Sequence, residues 1–277
     1  MAASTSTTLD DLFANIIAQA RFTAEENSLM AGLVTQYNIG SEAGKTIQVP
    51  KYPAITAAAL TEGTDMTSTT VSTSSVSITI GEVGAQVVLT DVAAMGAGNP
   101  AVELGTVLGN AIATKMDTDL ISLFSGFSSG LGGAGTEITV ADIFKAAATL
   151  RAAKAQGDIF AVVHPFQAYQ LKANLTNTFA NPNGGDIQNV AMAQSYVGTI
   201  AGIDIYESTN MTVDGSDDAI GGVFSREALA LVMKRDFEIE TQRDASLRAF
   251  ELNATAVYGT GELDDSYGVS MTFDAAL

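Results

Sequence analysis

Residues 99–127, NPAVELGTVLGNAIATKMDTDLISLFSGF, constrain the fold of this chain more than any other stretch. Asn99 suits the cap of a helix, and Pro100 suits its first position, where a missing N–H costs nothing. Glu103 places a carboxylate at the positive end of the helix dipole. Leu104, Val107, Leu108, Ala111, Ile112, Met116, Leu120, Leu123, Phe124 and Phe127 recur at steps of three and four, which is the period of one buried stripe. Thr106, Asn110, Lys115, Asp117 and Asp119 take the polar side. At ~1.5 Å per residue the rod is roughly 43 Å long, more than twice the mean helix. Such a helix must lie along something equally long, so the remainder is expected to be sheets and loops laid against it.

The chain has the apolar material for this: 47% of its 277 residues, enough for one large or two small domains. Cysteine is absent, which excludes a disulfide framework, a thiolate nucleophile and a Cys-ligated metal. Thirty-one acids against thirteen bases give a net charge of −18. A surface of that sign repels phosphate and argues against direct nucleic-acid binding. No apolar run approaches the ~18 residues of a membrane span. The start, MAASTSTTLDD, lacks both a base before Arg21 and the apolar core of a secretory signal, so a cytoplasm is the expected place of synthesis.

In chain order, Thr8 can cap a helix over residues 9–33, with Leu9, Leu12, Phe13, Ile16 and Ile17 on its apolar side. It reads as a first helix on its own core, or as an arm to a neighbouring copy. From Lys45 the period becomes two: Ile47 and Val49, then Val76, Ile78 and Ile80, predict two strands of a long hairpin with a small-residue tip. A lone hairpin is marginal in water. Nothing earlier in the chain is bulky enough to support it, which points to a neighbouring subunit. Residues 86–89 form the return strand.

After the rod, Thr139 and Asp142 make a capping-box pattern for a helix over residues 140–156, closed by Gly157. A strand over 159–163, a helix opening at Pro165, a turn-rich loop over 176–195 and short strands around Gly202 follow. Residues 223–233 read as a short strand and a helical turn at Arg226 and Glu227. Phe237 and Ile239, then Phe250, Leu252, Ala254, Ala256 and Tyr258, alternate as long strands suited to the rod's stripe. Residues 267–273 supply the last strand.

Three stretches invite a chemical reading. GLGGAG, at residues 130–135, fits a phosphate-cradling pattern, but a helix precedes it where a strand is required, so a connection is expected. His164, the only histidine, has no second His or Cys to share a metal and no nucleophile motif, so it reads as a strand-to-helix turn residue bonding backbone N–H groups. DGSDD, at residues 214–218, lacks calcium-loop spacing and reads as a solvated turn. No catalytic residue, cofactor or metal ligand is expected.

The order of these parts resembles the major capsid proteins of tailed bacteriophages, the Hong Kong 97-type fold shared with encapsulins. The resemblance is carried by GKTIQVPKYP, GAQVVLTDVAAM, ADIFKAAATLRAAKAQGDIFAVVHPFQAYQLKA, TIAGIDIYESTNM and DFEIETQRDASLRAFELNATAVYG. It implies an α+β fold with a spine helix, a peripheral β-sheet, an axial α/β domain and an extended hairpin loop. By resemblance, residues 1–40 are an amino-terminal arm, and 41–95 the extended loop lying over an adjacent subunit. Residues 96–135 and 233–259 are the peripheral domain, and 136–232 and 260–277 the axial domain.

The resemblance also implies assembly into pentamers and hexamers of an icosahedral head around double-stranded DNA, made in a bacterial cytoplasm and resident in the virion. A portal, a separate scaffolding protein and a cement or decoration protein are the implied partners. Some members weld subunits through a lysine at the hairpin tip. No Lys lies between Lys51 and Lys115, so no such crosslink is expected. Because the chain starts almost at once with the arm, scaffolding is expected as a separate protein. Glu62 and Asp65 at the tip, with Arg243, Asp244, Arg248 and Glu251 in the peripheral strands, are the expected assembly residues. The alternatives are an encapsulin-like compartment shell, an acidic hydrolase with paired carboxylates, and a decoration or tail-tube protein.

Overall fold

The computed structural model describes residues 28–40, 44–53, 55–66, 68, 70–92, 101–178 and 196–276. The readings that fall on residues 1–27, on the Asn99–Pro100 cap and on 179–195 lie outside the described residues. A short helix, α1 (Leu29–Leu33), leads into β1 (Thr35–Asn38). β2 (Thr46–Lys51) and β3 (Ser74–Thr79) pair as an antiparallel ribbon, with Ile47 opposite Ile78 and Val49 opposite Val76. β4 (Gly81–Thr90) precedes the rod, α2 (Ala101–Ser122), which tightens into a 3-10 turn over Leu123–Gly126.

Next come β5 (Gly130–Gly132), α3 (Val140–Ala152), β6 (Ile159–Val163) and α4 (Pro165–Thr178). β7 (Tyr196–Ile200) and β8 (Ile203–Glu207) are joined by Ala201 and Gly202, both at positive φ, as a two-residue hairpin turn requires. β9 (Asp218–Ser225), β10 (Leu229–Asp244), β11 (Ala249–Glu262) and β12 (Gly268–Asp274) complete the chain.

One sheet has the order β1-β10-β11-β4, a second the order β5-β12-β9-β6-β8-β7, and the β2–β3 ribbon stands apart. The rod lies on the first sheet: Leu108, Ile112, Leu120 and Phe124 pack with Phe237, Ile239, Leu252 and Ala254. Each large side chain buried there contributes about 1.5–3 kcal/mol. The second sheet carries α3, whose Ile143, Ala146, Ala147 and Leu150 meet Ala161, Ile205, Val223 and Met271. The expected capping box forms, Asp142 accepting from the Thr139 backbone N–H at 3.1 Å.

Four expectations need correction. The rod's stripe is narrower than its sequence suggests: Val107 is 56% exposed and Ala111 is exposed as well. A 3.6-residue period carries both to the flank of the face that meets the sheet. Asp117, assigned to the polar side, is buried and accepts hydrogen bonds from the Leu29 and Met30 backbone N–H groups at 3.1 and 3.2 Å. α3 stops at Ala152, not near Gln156, because Lys154 adopts φ +60°. Ala155 N–H then reaches the Leu150 carbonyl and Lys154 N–H the Arg151 carbonyl, both at 3.0 Å, which is a Schellman closure. Arg226 and Glu227 lie in a tight turn between β9 and β10, closed by the Ala228 N–H donating to the Ser225 carbonyl at 2.8 Å, and no helix forms because β10 begins at Leu229.

Candidate interaction surface

The ribbon and its tip form an arm. Its base rests on this chain's own sheet, contrary to the expectation that a neighbour must supply support. Ile78 and Ile80 are buried against Ala230, Val232, Tyr37 and Leu263. The seat is cut by glycine: a Cβ on Gly261 would stand 2.6 Å from an Ile78 side-chain carbon, and one on Gly259 2.6 Å from the Thr79 carbonyl oxygen. The supporting residues come later in the chain, where alternation alone could not assign them to the arm.

Two lysines fasten the arm further. Lys234 Nζ donates to the Gly44 carbonyl at 2.6 Å, and Lys51 Nζ meets Asp264 Oδ2 at 2.6 Å. Burial opposes ionisation of Asp264, but hydrogen bonds from Lys51 and Ser266 outweigh it and hold the carboxyl below its ordinary range. Between arm base and body lies an open cleft of about 630 Å³ bordered by Tyr37, Pro50, Tyr52, Arg226 and Tyr267.

Beyond Lys51 the described residues up to Val71 are exposed and carry no helix or strand. Tyr52, Ile55, Leu60 and Met66 stand 70, 59, 66 and 74% exposed. Soluble chains rarely display so many large apolar groups on one projection unless it meets something. Glu62 and Asp65 are on this segment, which has no base.

The other four expected assembly residues sit at the far end of β10 and β11. Arg243 grips Asp91 with both terminal nitrogens and stacks over the Phe250 ring, 4.5 Å from its centroid. That hydrogen bond holds the Asp91 carboxyl below its usual range. Asp244 shapes the hairpin turn, accepting from Ser246 N–H at 2.8 Å, Ser246 Oγ at 2.6 Å and Leu247 N–H at 3.1 Å, and its carboxyl is held low as a result. Glu251 accepts from Gln86 Nε2 at 3.4 Å. Arg248 takes φ +49° and its carbonyl accepts from Asp91 N–H at 3.0 Å. Beside it, Leu247 and Val92 are 58 and 80% exposed. The structure therefore brings Arg243, Asp244, Arg248 and Glu251 to one end of the sheet, while Glu62 and Asp65 lie on the arm at the other.

The chemical motifs resolve into scaffolding. Phe166 N–H donates to His164 Nδ1 at 3.4 Å, the Phe166 ring lies edge-on at 5.1 Å, and burial pushes the imidazole pKa down. Residues 130–132 pair with β12 as a strand. In DGSDD, Asp214 closes the turn, but Asp218 is buried and accepts from Gly135 N–H at 2.9 Å, so it is a tie between loops, not a solvated group. Among the described residues no group of three or more His, Cys, Asp or Glu is placed to hold a metal ion, and no helix is long and apolar enough to cross a membrane. Asp91 and Asp117, both central to how the strands and rod are joined, carried no sequence signal, because their partners lie far off in the chain.

The profile of a family described as "phage capsid protein" matches residues 73–269. No curated protein sequence matches significantly. Among solved structures, the capsid of the cyanophage P-SCSP1u is similar with a TM-score of 0.70 at 19% identity, covering 88% of this chain and 87% of that one. The acid-stable capsid of Helicobacter pylori bacteriophage KHP30 gives 0.69 at 12% identity, over 90 and 92%. A virus-like particle from Pyrococcus furiosus gives 0.63 at 10% identity, over 94 and 98%. At such identities the structural likeness speaks for the fold alone, and the choice between kinds of particle falls to the family profile.

Proposed function

The chain belongs to the phage capsid protein family, and from that premise we propose that it assembles as pentamers and hexamers into an icosahedral head around double-stranded DNA. It is a structural major capsid protein of the Hong Kong 97-type fold, and its place is the virion capsid. The family match does not favour the encapsulin-like alternative.

The observation that carries the assembly reading is the arm: an apolar, acid-bearing projection that stands exposed among the described residues. Its natural cover is an identical copy. Each contact made this way is of modest area, but a subunit held by several cannot leave by breaking one. In this reading residues 1–40 are the arm at the amino end, 41–95 the extended loop, 96–135 with 233–259 the peripheral domain, and 136–232 with 260–277 the axial domain. Glu62, Asp65 and Arg248 meet neighbours directly, while Arg243, Asp244 and Glu251 keep the hairpin end in the shape a neighbour meets.

The role is mechanical and requires no catalysis. A portal, a scaffolding protein and a cement protein are its assembly partners, and assembly takes place in the bacterial cytoplasm. The net charge of −18 lets the genome slide past the wall instead of adhering to it. Negative-stain electron microscopy of the purified protein tests the proposal: uniform shells, capsomer rings or sheets support it, and only isolated single subunits across a range of concentration and salt contradict it.

A further inference from the structure

We propose that the open cleft between the arm base and the body binds an extended, proline-rich segment with a basic side chain, supplied by a protein other than this one. The inference goes beyond the shell reading, which concerns contacts between identical copies.

The cleft encloses about 630 Å³ and takes one wall from the arm and another from the body. Pro50 and Tyr52 come from the arm, Tyr37 from β1, and Tyr267 from the 3-10 turn before β12. The hydroxyls of Tyr37, Tyr52 and Tyr267 make no hydrogen bond among the described residues. The surface therefore offers flat apolar faces together with phenol O–H donors that are not in use.

An occupant must cover the faces and supply acceptors to the donors. A polyproline II segment does both. Its rings are apolar, proline brings no N–H that would need an acceptor, and its carbonyls have no partner within the helix. An α-helix would arrive with its carbonyls already bonded along its length. Grooves lined by aromatic side chains take proline-rich segments at low entropic cost, because the ligand is extended before it binds.

Charge sets the sign of the occupant. The two bases that line the cleft are both engaged. Lys51 meets Asp264 at 2.6 Å, and Arg226 donates to the Gly32 carbonyl at 3.2 Å with its guanidinium 5.6 Å from the Phe160 ring centroid. Asp158 and Glu227 also line the cleft and are exposed. Their carboxylates form no ion pair or hydrogen bond among the described residues. Arg226 N–H donates to the Asp158 carbonyl at 3.2 Å, which sets both acids on the same wall. A lysine or arginine in the occupant would complete them and fix its direction along the cleft.

A second copy of the chain has no such segment to offer. Of its five prolines only Pro50 and Pro53 are closely spaced. Pro50 lies within β2, and Lys51 between the two is bound to Asp264, so this pair is built into the arm base.

The test is a titration of the fluorescein-labelled peptide Pro-Pro-Leu-Pro-Pro-Arg-Arg with the purified full chain, followed by anisotropy. Saturable binding is expected. Tyr52→Ala and Glu227→Lys are each expected to weaken it about tenfold. The same peptide with glycine at every proline is expected to bind about tenfold more weakly, because it loses both the rings and the preorganised backbone. Both substituted side chains are exposed, and thermal melting checks that each variant folds. Absence of saturable binding, equal binding of the glycine peptide, or unchanged affinity in either variant would overturn the proposal. Whether the unmodified chain forms shells is scored separately by electron microscopy, so failure of the cleft leaves the shell reading standing.

Discussion

Arg243 on β10 and Asp91 just beyond β4 are 152 positions apart in sequence and meet through two hydrogen bonds of 2.6 and 2.8 Å. The pair ties the end of the β10–β11 hairpin to the segment that leads into the rod. It is exposed, so its consequence is read best in titration. The folded carboxyl is held below its ordinary value, chiefly by the Arg243 hydrogen bond. The stabilisation is therefore present above the ordinary carboxylate range and is lost as pH falls through the lowered value. Arg243→Gln is expected to return the Asp91 midpoint to the ordinary range, as followed by carboxyl-carbon NMR. An unchanged midpoint would show that the pair does not persist in solution.

Asp117 behaves in the opposite sense. Burial pushes its carboxyl up, against hydrogen bonds from Met30, Ser28, Leu29 and Asn210 that pull it down. A folded pKa above the unfolded one gives stability that is fully present below the unfolded value and is lost as pH rises through the folded one. Urea unfolding should therefore show stability falling across that interval, and Asp117→Asn should remove the slope. Asp117→Ala leaves two backbone N–H groups without their acceptor and is expected to cost about 2–4 kcal/mol. A cost below 1 kcal/mol would mean that the segment from Ser28 to Leu33 is not anchored there.

The seat of the arm is a question of space. Valine at Gly261 places atoms where Ile78 already stands, and overpacking of this kind costs about 1–3 kcal/mol. Gly261→Val is expected to lower the melting temperature and to expose Ile78 and Ile80. Protection of the β3 amides in hydrogen exchange, unchanged from the parent, would contradict the docked base.

Lys154 closes α3 at φ +60°, where a side chain is strained and glycine is not. Lys154→Gly is expected to stabilise the chain by about 1 kcal/mol in thermal melting. A lower melting temperature would place some other role on the lysine side chain.

What sequence patterning could see follows from what it measures. It reads local periodicity, so β6 appeared at its true bounds, the Thr139–Asp142 box appeared with its helix, and the long alternation from Phe250 to Tyr258 appeared as the rod's partner. The same reasoning cannot see what a residue meets across space. Asp117 was assigned to solvent because it is charged, whereas its partners Leu29 and Met30 lie some ninety positions earlier. The support of the arm base was assigned to another subunit because Ala230, Val232, Gly259 and Gly261 carry little bulk and stand far along the chain. The end of α3 was placed at Gly157 because glycine is the usual stop, but a lysine took the left-handed position first. At the interaction surface, the tip acids were legible from the lack of any base around them. The engagement of Arg243 by Asp91 was not.

Hydrogen exchange along residues 52–73, in dilute subunit and in assembled particle, tests most directly whether this chain is completed by its own copies. Those amides should exchange at nearly unprotected rates in the dilute subunit and become strongly protected on assembly. Strong protection already present in the dilute, monomeric chain would mean that the tip folds onto its own body, and would contradict the account.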